Sequence, residues 1–481
     1  MAQNKDEIRQ QGVLPFELQE IKGDWRVTSF AGLPLVAEAF RASGGASAIR
    51  QGPQSRLRHR ERGLSDEELA ESFCLLLAAG GDHIEDFEAL GDDEGLAEMV
   101  GHAMPSVTRA KEYLYAFDDA MAQQEQEASS GQGRLLGGGV GQESGPLAGL
   151  GAALDATVRA AQLSRPQREA TIDLDATIVV SEKREAQMTY TGERGYQPVV
   201  AYWAEQEMVV ADEFRDGDVP AGKDPLRVLR RAVEALPQGV EKIYLRADSA
   251  AYEHELLNWC RDEAGITFAI SADMSQELRR AIEALPHEAW SFLEVKGDAA
   301  RSWAEVEFVP SGPSVKKGRR PDRYLALRIE PVQRELFADG TRVKHFALVT
   351  NDWERPGPEL LEWQRQKAGT VEKLHDVLKN DLGAGGMPCA RFGANAAWVR
   401  LNALTFNLLS LLRQLALPPE LRKAEPKRLR FHVLCLAGQI IAHARRLTIR
   451  VGETLGSLEV FRRGREIILR LLNTRRPAVA G

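Results

Sequence analysis

The chain has 481 residues, with 70 acidic against 62 basic side chains and 43% hydrophobic residues, a length above one ordinary domain with apolar content enough for more than one core. No apolar run reaches the ~18–20 residues of a membrane span, and the polar first residues carry no signal-peptide core. The four cysteines, Cys74, Cys260, Cys389 and Cys435, form no CxxC pair, which excludes a zinc ribbon or a disulfide framework and points to a reducing cytoplasm.

Residues 1–20 are polar. Residues 25–30 suit a short strand or turn, and 33–40 a helix. Arg56, Arg58, Arg60 and Arg62 then stand in a stretch with little acid. Ser65 followed three residues later by Glu68 is a capping box. It opens an apolar helix over 66–79 that stops at Gly80-Gly81. Further helices fit 83–90, 93–102 and 106–121. Residues 1–121 thus form an expected helical domain whose arginine edge suits DNA, or else a helical bundle with a solvated basic loop. Residues 122–150 are rich in Gln, Glu, Ser and Gly and predict a linker. They hold no GxxxxGK[ST], so the glycines do not signal phosphate binding. A short helix at 151–163 completes the linker region, 122–170.

The next stretch, 171–180, places Asp173 and Asp175 among apolar residues. On a strand, positions i and i+2 share a face. Two carboxylates there imply a divalent metal, a phosphorus centre, or a solvated strand end. Strands follow at 198–204 and 208–214, a helix at 225–236, a strand at 242–247, a helix at 250–264 and a strand at 266–270. Three strands, then helix, strand, helix, strand is the order of the ribonuclease-H-like fold. Asp248 sits just past the fourth strand, where ligands collect in open α/β sheets. Residues 272–352 carry strand-like runs split by basic turns and predict a β-rich insertion. A long helix spans 359–381, and its Glu372 and Lys379 are seven apart, on one face. A very apolar helix covers 395–415. The end of the chain, 416–481, predicts two amphipathic helices, 427–447 and 456–473. Residues 421–481 hold 14 Lys and Arg against 4 Glu. This basic end on an acidic body suits a polyanionic partner.

Asp175, Asp248 and Glu372, drawn from three segments, supply the oxygen ligands that hard divalent cations need. They could serve two-metal phosphoryl transfer. Asp173-Leu-Asp175-Ala-Thr177, Gly195-Tyr196-Gln-Pro198, Arg246-Ala-Asp248-Ser249 and Glu372-x6-Lys379 together resemble the DDE transposases of bacterial insertion sequences. The pattern is similar to the IS-thirteen-eighty type, related to the IS-four group. The similarity runs through most of the chain, including Gly63-Leu64-Ser65, Asn395-Ala-Ala-Trp398-Val-Arg400-Leu401 and the basic tail. It implies a ribonuclease-H-like core over 171–415 and a catalytic triad of Asp175, Asp248 and Glu372. It also implies Mg²⁺ or Mn²⁺ ions, two in number, with Asp173 as a neighbouring ligand. The partners it implies are double-stranded DNA (inverted-repeat ends and target) and a second copy of the chain when assembled on DNA, in the bacterial cytoplasm at the nucleoid. DNA contacts are expected from Arg56, Arg58, Arg60, Arg62, Lys316, Lys317, Arg365, Lys367, Lys379, Arg428 and Arg430. The insertion is expected to reach over the site, with Trp303 either stacking on an extruded base or packing within the sheet. The related families favour an arginine four residues before the glutamate. Here Ala368 holds that place, with Trp363, Arg365 and Lys367 near but out of register.

Two other functions compete. Ile172-Asp173-Leu-Asp175-Ala-Thr177 fits the first motif of haloacid-dehalogenase-type phosphatases, with Asp173 as nucleophile and Asp175 as acid/base. Those enzymes favour Gly where Ala176 stands, and no late Asp pair follows Thr350. The second competitor is a transposase-derived DNA-binding protein without catalysis.

Overall fold

The structure is a computed structural model that describes residues 26–52, 57, 63–130, 143–310, 321–332, 342–443, 446–452 and 457–475. Its centre is a nine-stranded sheet. The strands are β1 (Glu169–Ala176), β2 (Val199–Trp203), β3 (Met208–Glu213), β4 (Lys242–Ala247) and β5 (Thr267–Ala272), then β6 (Ser291–Lys296), β7 (Ala299–Val306), β8 (Arg323–Pro331) and β9 (Lys344–Thr350). Their spatial order is β6-β7-β8-β9-β5-β4-β1-β2-β3. β1 runs antiparallel to β2 and parallel to β4, and β4 runs parallel to β5. Parallel neighbours need crossover connections. Helix Pro225–Ala235 makes the one between β3 and β4, and helix His254–Asp262 the one between β4 and β5. The expected insertion is β-rich as predicted, but it is no separate lobe. Its last strand, β9, pairs with β5 and extends the same sheet.

The sheet is covered on both faces, and period-2 alternation sorts its side chains. On β2, Val199, Ala201 and Trp203 join one core, while Val200 and Tyr202 join the other. On β1, Ala170, Ile172 and Leu174 face the first core. Asp173 and Asp175 therefore face the opposite layer, which is helical. That layer is threaded by helix Phe392–Leu411, buried at every position from Gly393 to Leu411. Its polar residues are matched inside the protein. Asn407 accepts from the Val209 N–H at 2.8 Å and donates to the Val209 carbonyl at 2.9 Å. Arg400 pairs with Asp212 at 2.9 Å.

The helices of the first 121 residues have no core of their own. One continuous cluster joins Phe40, Phe73 and Leu114 to Trp398, Leu434 and Leu471, and Phe73 meets Trp398 edge to face. The capping box forms as expected. The Ser65 hydroxyl accepts from the Glu68 N–H, and the Glu68 carboxylate accepts from the Ser65 N–H. The linker is shorter than expected. Helices Val107–Ser130 and Gly145–Ser164 extend into it from both sides, because Ala, Gln and Glu favour helix and Ser144 caps the second one. The tail also differs. Residues 438–451 form a hairpin, Gly438–His443 with Arg446–Val451, joined by strand Arg26–Thr28. The β-branched residues Ile440, Ile441, Thr448, Ile449 and Val451 favour strand over the expected helix. Helix Ser457–Arg475 follows. Among the described residues, no helix is long and apolar enough to cross a membrane.

Candidate active site

β1 and β4 are parallel neighbours in the register Asp173 opposite Arg246. Two residues further along each strand, on the same face, come Asp175 and Asp248. The register therefore delivers two carboxylates side by side at the carboxyl ends of adjacent parallel strands. Asp248 caps the short turn after β4, accepting from the Ala250 N–H at 3.0 Å. Burial pushes its pKa up, and the nearby Asp175 charge pushes the same way.

Asp173 and Asp175 share a face but not a role. Asp173 is fully buried. It accepts two hydrogen bonds from Arg246, at 2.6 Å from Nε and 2.7 Å from Nη2, and a third from the Thr370 hydroxyl. Arg246 also donates to the Trp363 carbonyl at 2.9 Å. Asp175 lies nearer the strand end. Lys367 Nζ is 3.1 Å from its Oδ1, and His375 Nε2 is 3.5 Å from its Oδ2. The latter is the outer limit of a hydrogen bond, and by strict geometry the buried Nε2 has no hydrogen-bond partner. Burial pushes the Asp175 pKa up, but His375 and Lys367 more than offset it and hold the carboxyl below its ordinary value.

The expected single helix over 359–381 is broken where the site needs it. Helix Gly357–Arg365 tightens into a 3₁₀ turn, Gln366–Gly369, and Thr370 leaves helical geometry with φ −118° and ψ −92°. Helix Val371–Asp376 then restarts and ends in a π turn, Val377–Asp381. Gly369 and the β-branched Thr370 disfavour a continued helix. The break turns Lys367 inward, where its ammonium touches Asp175 and lies 3.7 Å from Glu372 Oε1. Glu372 itself is exposed. Lys379 shares the Glu372 stripe and donates to Thr177 Oγ1 at 2.5 Å and to the Ile178 carbonyl at 2.7 Å. Burial lowers its pKa.

Asp175 and Glu372 thus both approach Lys367, and Asp248 stands beside Asp175 at the neighbouring strand end. The three acids do not close on one point, since among the described residues only Asp82, His83 and Asp86 bring three ligand atoms within 4.8 Å of one another. Their oxygens are the ligand type that a hard divalent cation such as Mg²⁺ or Mn²⁺ takes, and exposed Glu372 would have to swing inward to share one with the two aspartates. Asp173 fits it poorly, because its oxygens are already taken by Arg246 and Thr370. The same pairing removes the phosphatase alternative, which requires Asp173 as a free nucleophile.

The insertion reaches this site. A cavity of about 420 Å³ is walled by Lys367, Glu372 and Arg365 on one side and by Arg301, Lys296 and Phe346 on the other. Trp303 does not line it. Its ring packs on Gly357, where a Cβ would come within 2.3 Å. Arg365 is paired with Glu294 at 2.7 Å. Arg428 is exposed. Arg430 is not available to a phosphate, because it donates to the carbonyls of Leu77 at 2.8 Å, Ala78 at 3.0 Å and Asp381 at 2.5 Å, and so ties the tail to the body. Arg56, Arg58, Arg60, Arg62, Lys316 and Lys317 lie outside the described residues. Sequence reasoning gave no role to Arg246, Thr370 or His375. Arg246 had a signal in its place two residues before Asp248, and His375 in its place three residues after Glu372. Thr370 had none.

No curated protein matches the chain. Among solved structures, the cryo-EM structure of a piggyBac transposase synaptic complex with hairpin DNA is similar over 95% of this chain and 85% of that chain. The identity is 10% and the TM-score 0.44, a likeness too slight to carry an argument. The sequence family described as Transposase DDE domain group 1 matches residues 20–473. By that match over nearly the whole chain, the protein belongs to the DDE transposases, enzymes that cut and rejoin DNA with divalent metal ions.

Proposed function

We propose that this chain is the transposase of a bacterial insertion sequence of the IS-thirteen-eighty type, related to the IS-four group. It cleaves DNA at the inverted-repeat ends and joins them to a target. The observation that carries this reading is Asp175 and Asp248 side by side at the carboxyl ends of β1 and β4, with Lys367 between Asp175 and Glu372. The strand order β3-β2-β1-β4-β5, with β2 alone running against the other four, supports a ribonuclease-H-like core.

Asp175, Asp248 and Glu372 would hold Mg²⁺ or Mn²⁺, as two ions. When bound, the ions supply activation of water or of a 3′-hydroxyl and stabilisation of the leaving oxygen. Arg246 and Asp173 fix the height of the two strand ends, and Lys379 ties the loop after β1 to the helix that carries Glu372. The Arg428 side chain and the basic tail contact DNA phosphates, and two copies assemble on the DNA ends in the bacterial cytoplasm, at the nucleoid. An inactive DNA-binding derivative has no reason to keep the three acids together.

The test is strand cleavage of a duplex carrying the element's end, with Mg²⁺ or Mn²⁺ beside a chelated control. Cleavage confined to the end and lost on chelation is expected. Metal-independent cleavage, or none on the correct end with folded protein, would overturn the proposal.

A further inference from the structure

Lys367 is an unusual residue to find in an acid cluster meant for metal. Its side chain is only 8% exposed. Its ammonium hydrogen-bonds Asp175 at 3.1 Å and stands 3.7 Å from Glu372. A cation in that position offsets the repulsion between the buried Asp175 carboxylate and the exposed Glu372 carboxylate. A divalent ion ligated by the same oxygens would compete for their lone pairs, and its charge would repel the ammonium. Both cannot hold the inner place.

We propose that Lys367 is a stand-in for the metal: in the ion-free protein its ammonium holds Asp175 and Glu372 together, and ion binding displaces it into the adjoining cavity. The inference rests on the reading of Asp175, Asp248 and Glu372 as the ion ligands. The route out exists, since Lys367 already lines the cavity of about 420 Å³ that Lys296, Arg301 and Arg365 also line. Its backbone sits on the short 3₁₀ turn Gln366–Gly369, flanked by exposed Ala368 and Gly369. A lysine side chain there can swing without moving the helix that carries Glu372. Displaced, Lys367 adds a fourth cation to the cavity wall, where a DNA phosphate would find it. Ion loading and phosphate binding are then coupled, and the coupling is reciprocal. Lys367 is a positioning residue in this account, not a group that touches reacting atoms.

The test uses the full chain without DNA. Ion binding is followed by calorimetry with Mn²⁺ and with Ca²⁺, and acylation of Lys367 by a water-soluble ester is followed by mass spectrometry at matched pH. In the ion-free protein Lys367 should react slowly, and saturating ion should speed it several-fold. Lys367→Met should bind the ion at least about fivefold more tightly, with no ammonium to displace. Unchanged or slower acylation on ion binding overturns the stand-in role, even if Lys367→Met fails to fold. So does an unchanged or weaker ion affinity in a folded Lys367→Met. Asp175→Asn separates the two readings. If it leaves ion affinity unchanged, or if the wild type binds no ion, the ligand assignment fails and the stand-in falls with it. If Asp175→Asn weakens the ion while Lys367 stays protected, only the stand-in fails.

Discussion

The ion pair between Asp173 and Arg246 gives a sharp test of which aspartate on β1 is structural. Arg246 makes two hydrogen bonds to Asp173, at 2.6 and 2.7 Å, and both side chains are buried. Asp173→Ala would leave a buried guanidinium with no carboxylate, which costs about 3–5 kcal/mol. Asp173→Asn keeps the shape and one acceptor, so its cost should be nearer ~1–3 kcal/mol. Replacing the pair together, Asp173→Leu with Arg246→Met, removes both charges. It should recover much of the loss from Asp173→Ala, less whatever the Arg246 bond to the Trp363 carbonyl contributes. The assay is urea denaturation followed by tryptophan fluorescence, since Trp363 lies 5.5 Å from the Arg246 guanidinium. Metal-dependent cleavage is measured in parallel on each variant. Asp173→Asn should lose stability yet retain cleavage, and Asp175→Asn should abolish cleavage while losing only the stability that its contact with Lys367 supplies. The reasoning is refuted if Asp173→Asn folds with full stability but does not cleave, while Asp175→Asn cleaves normally.

Ion affinity should fall as pH drops through the raised pKa of Asp248, above the ordinary ~3.9 of an aspartate. Asp248→Asn should flatten that slope in a calorimetric titration, and a slope unchanged in that variant would count against Asp248 as a ligand. At Asp175 the pKa shift runs the other way, because its carboxyl is held low, and the ionised form adds stability. Its contribution is present above the unfolded pKa and is lost as pH falls through the folded one, a loss that Asp175→Asn should remove from an acid denaturation curve. On the tail hairpin, Arg446 and Arg450 are exposed on one face. Changing both to Gln should reduce the slope of log affinity for DNA against log salt by ~0.9 for each phosphate that the two arginines neutralise, read by fluorescence anisotropy; an unchanged slope removes the hairpin from the interface. Gly357→Ala should destabilise by ~1–3 kcal/mol in thermal unfolding, because the new Cβ overlaps the Trp303 ring at 2.3 Å. A neutral effect would mean that Trp303 is free to move, as a stacking role needs.

The sequence carried the sheet and its acids well, for physical reasons. Alternating apolar residues on β1 forced Asp173 and Asp175 to one face, and the strand–helix rhythm placed Asp248 beyond β4. The capping box at Ser65 and Glu68 is a local signal and formed locally. Long-range choices were not legible. Nothing in the sequence near Asp173 says that Arg246, 73 residues away, will take it out of chemistry. The helix over 359–381 had the right period, but Gly369 and Thr370 interrupt it, and the hydrogen bond that holds Thr370 to Asp173 comes from a distant part of the chain. The tail hairpin was hidden because 438–451 is both basic and apolar, and its third strand, Arg26–Thr28, comes from the far end of the chain. Arg430 looked like a free cation, but it is a fastener for carbonyl oxygens.

The central claim is that Asp175, Asp248 and Glu372 form one ion site. Crystals soaked in Mn²⁺ and recorded at its anomalous edge test this most directly. One or two anomalous peaks are expected, with carboxylate oxygens of all three residues as ligands at ~2.0–2.6 Å, and with Asp173 still on Arg246. Peaks confined to another acidic group, such as Asp82, His83 and Asp86, with none among the three acids, would contradict it.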